Sequence, residues 1–413
     1  MTDGGRRFGA SRSAFSGVIA AGVSSATNFA AVVFAARNGS PQSFGAVSLG
    51  FAAYLLAQSA VRSLVCEMLL IGDEPHRHES ARRGVTATVL VSAPIAGVIA
   101  LVGLLLPADG PTRPVMLVLA ACTVPLCVLD ALRYVGFSRS APMRAAAIDL
   151  AWALAFGLGL IAVVGSLSSF RVWVAWCVGG AAVGVGGALA GRTWCALSEA
   201  RAWLRSNLTT SGRYIAENFT SQAVNGLALF ALGAFAGTAA VGAIRGVSTL
   251  FGPLTVLHAG VYAGLLSRLR SRTHERERTL RAVSMGLVGA ACILTGVWAL
   301  VPDTVGTALL GDTWGSAREL VVPFGFGMAL TVASSGAVLG LRALVAASMT
   351  LRIRLVVAPI TLGALLAGSA WAAQQGYTVG FVVASAVGTA LLWFGYLQVR
   401  SGLPQEPATE AAA

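Results

Sequence analysis

Twelve stretches of roughly twenty apolar residues follow one another along this chain, each long enough for a helix to cross the hydrocarbon of a bilayer. In lipid every backbone N–H and C=O must be satisfied internally, which leaves helices or closed barrels as spanning structures. Runs of this length select helices. The series reads 14–36, 44–71, 84–106, 112–136, 145–165 and 171–191, then 214–236, 239–267, 283–302, 317–342, 350–373 and 377–399. The expected fold is all-α: a polytopic membrane protein of about 12 transmembrane helices in two six-helix parallel repeats around a central cavity. Residues 1–191 form the first half, 192–213 a cytoplasmic linker, 214–399 the second half and 400–413 a disordered cytoplasmic tail. A charged fraction of only 11% and a mean hydropathy of +0.76 exclude an ordinary soluble domain. The apolar run from Ala14 to Ala36 is too long for a signal-peptide core and reads as the first permanent span.

Charge gives the orientation. All 29 basic residues are Arg. Of these, 23 fall in or near the amino terminus and every second loop, four (Arg37, Arg113, Arg171, Arg318) on the opposite side, and two, Arg62 and Arg245, inside spans. The positive-inside rule then places both termini in the cytoplasm, and the Arg-only, Ala-, Gly- and Val-rich composition suggests a GC-rich bacterial genome and hence a bacterial inner membrane. Trp173, Trp176, Trp298, Trp314 and Trp371 fall near outer ends, where an aromatic belt is expected. The outer loops are short and leave no room for a folded catalytic domain. The absence of Lys excludes a P-loop ATPase and Schiff-base chemistry. Six Cys without a CxxC pair read as small buried hydrophobes. No cofactor, catalytic residue, metal site or nucleic-acid partner is expected.

The halves align at a shift of 197 residues, which places Ser24 on Ser221, Asn28 on Asn225 and Gly45 on Gly242; Pro125 meets Pro323 one residue further on. Polar residues cluster on matching faces at 100° per residue. On the second span, Ser48, Gln58, Ser59, Arg62, Ser63 and Cys66 share an arc of roughly 140°. Val47, Tyr54, Val61, Leu64, Val65 and Met68 fall opposite. Glu67 lies about 140° round from Arg62, too far for an ion pair along an α-helix. On the eighth span Arg245, Ser248, Thr249, Gly252 and Thr255 align; on the first, Ser24, Ser25 and Asn28; on the seventh, Asn218, Ser221, Gln222 and Asn225. Spans 1, 2, 7 and 8 are therefore expected to line a cavity, with Arg62, Arg245, Gln58, Ser59, Asn28, Asn225, Gln222 and Asn218 on its wall. Glu217 and Asp130, near cytoplasmic ends, are the candidates for ion coupling.

The segment RNGSPQSFGAVSLGFAAYLL followed by VRSLVCEMLL, with the six-plus-six repeat, resembles the bacterial polysaccharide flippases of the multidrug/oligosaccharidyl-lipid/polysaccharide exporter superfamily. The resemblance implies a transporter, not an enzyme, that flips a polyprenyl-diphosphate-linked glycan to the outer leaflet by alternating access. Arg on spans 2 and 8 would hold the diphosphate. It further implies glycan-assembly enzymes as partners, and the Arg-rich cytoplasmic loops would meet anionic membrane lipids. Lipid II flippases of that superfamily carry Arg on the first span and two additional helices, which this chain lacks. The alternatives are an ion-coupled multidrug antiporter, of the same or the major facilitator class, and a membrane-embedded glycosyl- or acyltransferase. The loop GDEPHRHESARRG does not match the major facilitator pattern, and only His258 resembles a transferase His.

Overall fold

The computed structural model describes residues 22–23, 25–71, 77–139, 141–215, 220–258, 261, 276–344 and 347–401. The first helix, α1, is described over 25–37. It is followed by α2 (Pro41–Val61), a π-helical turn (Arg62–Cys66), α3 (Glu67–Ile71), α4 (Arg77–Leu105), α5 (Thr112–Ser138), α6 (Pro142–Ala162) and α7 (Ser169–Ala190). Then come α8 (Leu197–Tyr214), α9 (Thr220–Ala236), α10 (Thr238–Leu250) and α11 (Gly252–His258). The remainder is α12 (Arg276–Leu300), α13 (Asp303–Leu310), α14 (Trp314–Ala333), α15 (Ser335–Ala343) and α16 (Ala347–Ser401). No strand occurs among the described residues.

Eight of the described helical stretches are long and apolar enough to cross a membrane, or nine if the broken pair α10–α11 is one span. α16 holds two spans, because Ala372 and Ala373 leave helical geometry and Ala373 takes φ 49°. Dividing it there and adding α1 and α9 gives the twelve that hydropathy predicts. Pro94, Pro125, Pro323 and Pro359 all lie inside continuous helices, so none ends a span. Pro253 follows the α10–α11 break, where its missing N–H would otherwise leave a gap in the ladder. The polar linker is largely the 18-residue helix α8.

Packing divides the chain into two compact units, Met1–Thr249 with Pro302–Ala317, and Leu250–Val301 with Arg318–Ala413. In the first, α5 is the hub and packs against α2, α4, α6 and α7. Small residues permit this: a Cβ on Gly184 of α7 would sit 2.1 Å from the Pro125 carbonyl oxygen. α2 and α10 cross as closely. A Cβ on Gly45 would fall 1.6 Å from the Thr238 oxygen and 3.1 Å from the Gly242 nitrogen. Gly45 and Gly242 are the pair equated by the 197-residue shift, and here they meet at a contact that leaves no room for a side chain on Gly45. In the second unit, Gly368 and Gly376 pack backbone to backbone across the α16 hairpin, and Gly336 of α15 seats against Leu280 and Ser284 of α12.

The tryptophans depart from the expected belt. Trp173, Trp176 and Trp314 are fully buried, while Trp371 faces outward. Trp173 and Trp176 stack with centroids 5.3 Å apart, and Trp152 and Phe51 close on Trp176 at 5.0 and 4.9 Å. Each indole N–H of the three finds a partner: Val115 O for Trp173, Asn28 Oδ1 for Trp176 and Trp176 O for Trp152. They form an internal wall, satisfied as buried Trp must be.

Gly45→Val is expected to destabilise the protein by about 1–3 kcal/mol through overpacking. Gly286→Ala, at a glycine with open space around it, should leave stability unchanged. Thermal unfolding of both variants in the same detergent checks this.

Candidate functional site

α2 begins conventionally, with Ser40 capping the Ser43 N–H and Pro41 in the first turn. It changes at Arg62. Over Arg62–Cys66 the turn widens, and the Glu67 N–H bonds to the Arg62 carbonyl five residues back. Such π turns recur at functional sites. A turn closed by a bond between residues five apart brings residue i+5 back round towards residue i. Glu67 and Arg62 accordingly line one cavity, which overturns the separation of about 140° expected from α-helical geometry.

Arg62 faces a partner the sequence did not indicate. Its Nε donates to Asp130 Oδ2 at 2.6 Å and its Nη2 to Asp130 Oδ1 at 2.8 Å, a bidentate pair between the π turn and α5. One turn along α5, Arg133 Nη1 donates to Asp130 Oδ1 at 3.1 Å. Arg133 Nε lies 3.0 Å from Asp149 Oδ1 of α6. The last contact is an ion pair by distance only, because the N–H direction misses the oxygen. The result is a ladder of alternating sign, Arg62, Asp130, Arg133, Asp149. The Asp130 side chain is 1% exposed and the Arg62 side chain 35%, so the pair reaches from sealed interior to open cavity. Asp130 was expected near a cytoplasmic end as an ion-coupling group; instead both its oxygens are held by guanidinium groups. Arg133, expected among the cytoplasmic arginines, is an interior residue.

The cavity has two lobes that share Leu55, Gln58 and Arg62. The first, of about 330 Å³, is lined by Ser25, Asn28, Phe51, Tyr54, Arg133, Trp152 and Arg245 besides two of the shared residues and Leu55. Its described wall holds three guanidinium groups and no carboxylate. The second, of about 270 Å³, adds Ser59, Glu67, Tyr134 and Gln222. Arg245 lies over the Phe51 ring with its guanidinium carbon 5.4 Å from the centroid, and Arg62 lies 5.8 Å from the Tyr134 centroid. Arg245 Nε is buried without a hydrogen-bond acceptor.

Of the residues expected on the wall, Arg62, Arg245, Gln58, Ser59, Asn28 and Gln222 are brought together. Asn225 is exposed and lines neither lobe. Asn218 and Glu217 lie outside the described residues. Sequence reasoning missed Phe51, Tyr54, Tyr134, Arg133 and Trp152. Tyr54 was assigned to the face away from the cavity, yet its hydroxyl accepts from Gln58 Nε2 at 2.7 Å, one turn along α2. Residues four apart share a face, so that spacing carried the signal.

No protein-family model matches the chain, and neither does any curated protein. Solved structures do. An inward-facing multidrug resistance MATE family transporter of the MOP superfamily superposes with a TM-score of 0.65 at 13% identity, over 93% of this chain and 98% of that one. The lipid II flippase MurJ, in an inward closed conformation, gives 0.67 at 9% identity, over 92% and 89%. An outward-facing MATE transporter gives 0.56 at 15%, over 95% and 96%. The chain has the fold of the MOP-superfamily transporters. With its series of long apolar helices it is a multi-pass, all-helical membrane protein.

Asp130→Ala should destabilise the first unit by about 3–5 kcal/mol, because it leaves two charges without their buried partner. Arg62→Gln should cost much less, since Asp130 keeps Arg133. Melting curves of the two purified variants beside wild type decide this; equal losses would contradict the ladder.

Proposed function

We propose that this chain is an alternating-access transporter that moves a polyprenyl-diphosphate-linked glycan to the outer leaflet of a bacterial cytoplasmic membrane, with both termini in the cytoplasm and no enzymatic step. The observation that carries this reading is the first lobe, whose described wall has guanidinium groups from Arg62, Arg133 and Arg245 and no carboxylate, the first two being answered by Asp130 and Asp149. Guanidinium stays charged when desolvated and presents paired donors to phosphate oxygens. Arg245 supports the assignment most, because no acidic residue is paired with it among the described residues and its Nε has no acceptor. Asn28, Gln58 and Ser25 supply neutral partners for sugar hydroxyls, and the aromatic surfaces of Tyr54 and Trp152 stand beside them. Moving two negative charges outward down an inside-negative potential gains about 2.3 kcal/mol per charge per 100 mV, so no ATP site is required.

A second reading, a small-molecule antiporter like the MATE structures, is favoured by Glu67 on the wall of the other lobe. A carboxylate there suits a cationic cargo.

Reconstitution separates the two. In proteoliposomes carrying a fluorescent polyprenyl-diphosphate oligosaccharide, translocation should fall about tenfold or more in Arg62→Gln and in Arg245→Gln, as expected for losing charge-assisted hydrogen bonds. Wild-type translocation in both variants would refute the glycolipid reading. Uptake of a lipophilic cation that is lost in Glu67→Gln would establish the antiporter instead.

A further inference from the structure

The linker helix α8 has three faces rather than two. Set on a wheel at 100° per residue, Ala200, Trp203, Leu204, Asn207 and Ser211 fall within one arc of about 100° and are buried or half-buried. Ala200 is sealed against Val65 and Ala87, with Trp203 and Leu204 beside it. Ser198, Glu199, Ala202, Ser206 and Thr209 form a second, polar and exposed arc. Between these lies a third, holding Leu197, Arg201, Arg205 and Leu208. All four are exposed, and Leu197 and Leu208 are 61% and 47% so.

Apolar and basic side chains sharing one exposed face, with the acidic Glu199 on a different one, is the pattern of a helix lying in a headgroup layer. Position agrees. α8 joins a transmembrane helix that ends at Ala190 to one that begins at Thr220, so its two ends approach the same side of the membrane. Its approach is fixed by Arg82 Nε donating to Trp194 O at 2.8 Å and the Cys195 N–H donating to Thr86 Oγ1 at 3.1 Å. Arg stems cover apolar surface while their heads stay among phosphates.

The buried face touches the site. Ser211 Oγ donates to the Leu64 carbonyl at 3.1 Å, inside the π turn, across 147 residues of sequence. Leu64 packs with Trp203 and Leu204 in the same cluster.

We infer that α8 lies in the bilayer headgroup layer, where Arg201 and Arg205 hold anionic phospholipid headgroups that press the helix onto the π turn carrying Arg62. The lipid thereby becomes a ligand of the site's support. Net attraction follows from the negative surface of such membranes and does not depend on what the transporter carries.

Hydrogen exchange of the full-length protein in nanodiscs tests this without any transport substrate. Amides of residues 197–214 should exchange about tenfold more slowly in discs of phosphatidylcholine mixed with phosphatidylglycerol than in phosphatidylcholine alone, and the π-turn amides should slow with them. The double variant Arg201→Gln/Arg205→Gln, altered only at exposed side chains, should lose both differences at an unchanged melting temperature. Equal exchange in the two lipids, or slowing that survives the double substitution, would overturn the lipid contact. In Ser211→Ala the lipid effect on α8 should persist while the π turn no longer responds; a π turn that still responds would overturn the link.

Discussion

The bidentate pair between Arg62 and Asp130 sets the terms for the first unit. Taking the Asp130 carboxylate out of water costs several kcal/mol, and the pair offsets this only because its geometry is close and further groups complete it. Arg133 donates a further hydrogen bond to Asp130 Oδ1, which it shares with Arg62, and Asp149 answers Arg133. Four charges from the π turn, α5 and α6 thus cancel in sequence. Such a ladder contributes little net stability over an apolar core of the same shape. Its effect is to fix register: α2 cannot slide along α5, nor α5 along α6, without orphaning a buried charge.

With the ladder neutral, the electrostatics of the cavity fall to the groups that it leaves over. Arg245 is held by the Phe51 ring rather than by an acid, a cheaper but weaker answer to its charge. Phe51 itself is held edge-on by Trp173 and Trp176. The aromatic wall therefore does two jobs, filling the interior and presenting a polarisable face to a cation. Glu67 adds a carboxylate to the other lobe, which Arg62 also lines.

Much of this architecture is written in the sequence as periodicity. Hydropathy yields the spans because the bilayer demands internally satisfied helices, and it even separates 350–373 from 377–399 where one continuous helical stretch, α16, reverses at Ala373. Gly45 and Gly242 stand out in the sequence as small residues at matching positions, and their close contact admits no added side chain. The polar stripe of Gln58, Ser59 and Arg62 is legible for the same reason of period. The Asp130 partner is not, since it lies 68 residues from Arg62 and is chosen by packing of α2 on α5. The buried tryptophans misled because an indole near a span end suits the headgroup layer and a protein interior equally, and only the neighbours decide.

The π turn is the least legible element, and the cavity depends on it most. An uninterrupted α-helix through 62–67 would rotate everything after Arg62 by about 100°, the angle of one residue. Glu67 would leave the wall, and the apolar side chains that now meet α4 and α8 would turn with it. No residue pattern in RSLVC encodes the extra residue; its ladder is held from outside. Ser211 accepts the role of donor to the Leu64 carbonyl, while Ala200, Trp203 and Leu204 supply the apolar seat. The conformation of the Arg62 site is therefore set as much by a surface helix of the linker as by the transmembrane helix in which Arg62 resides.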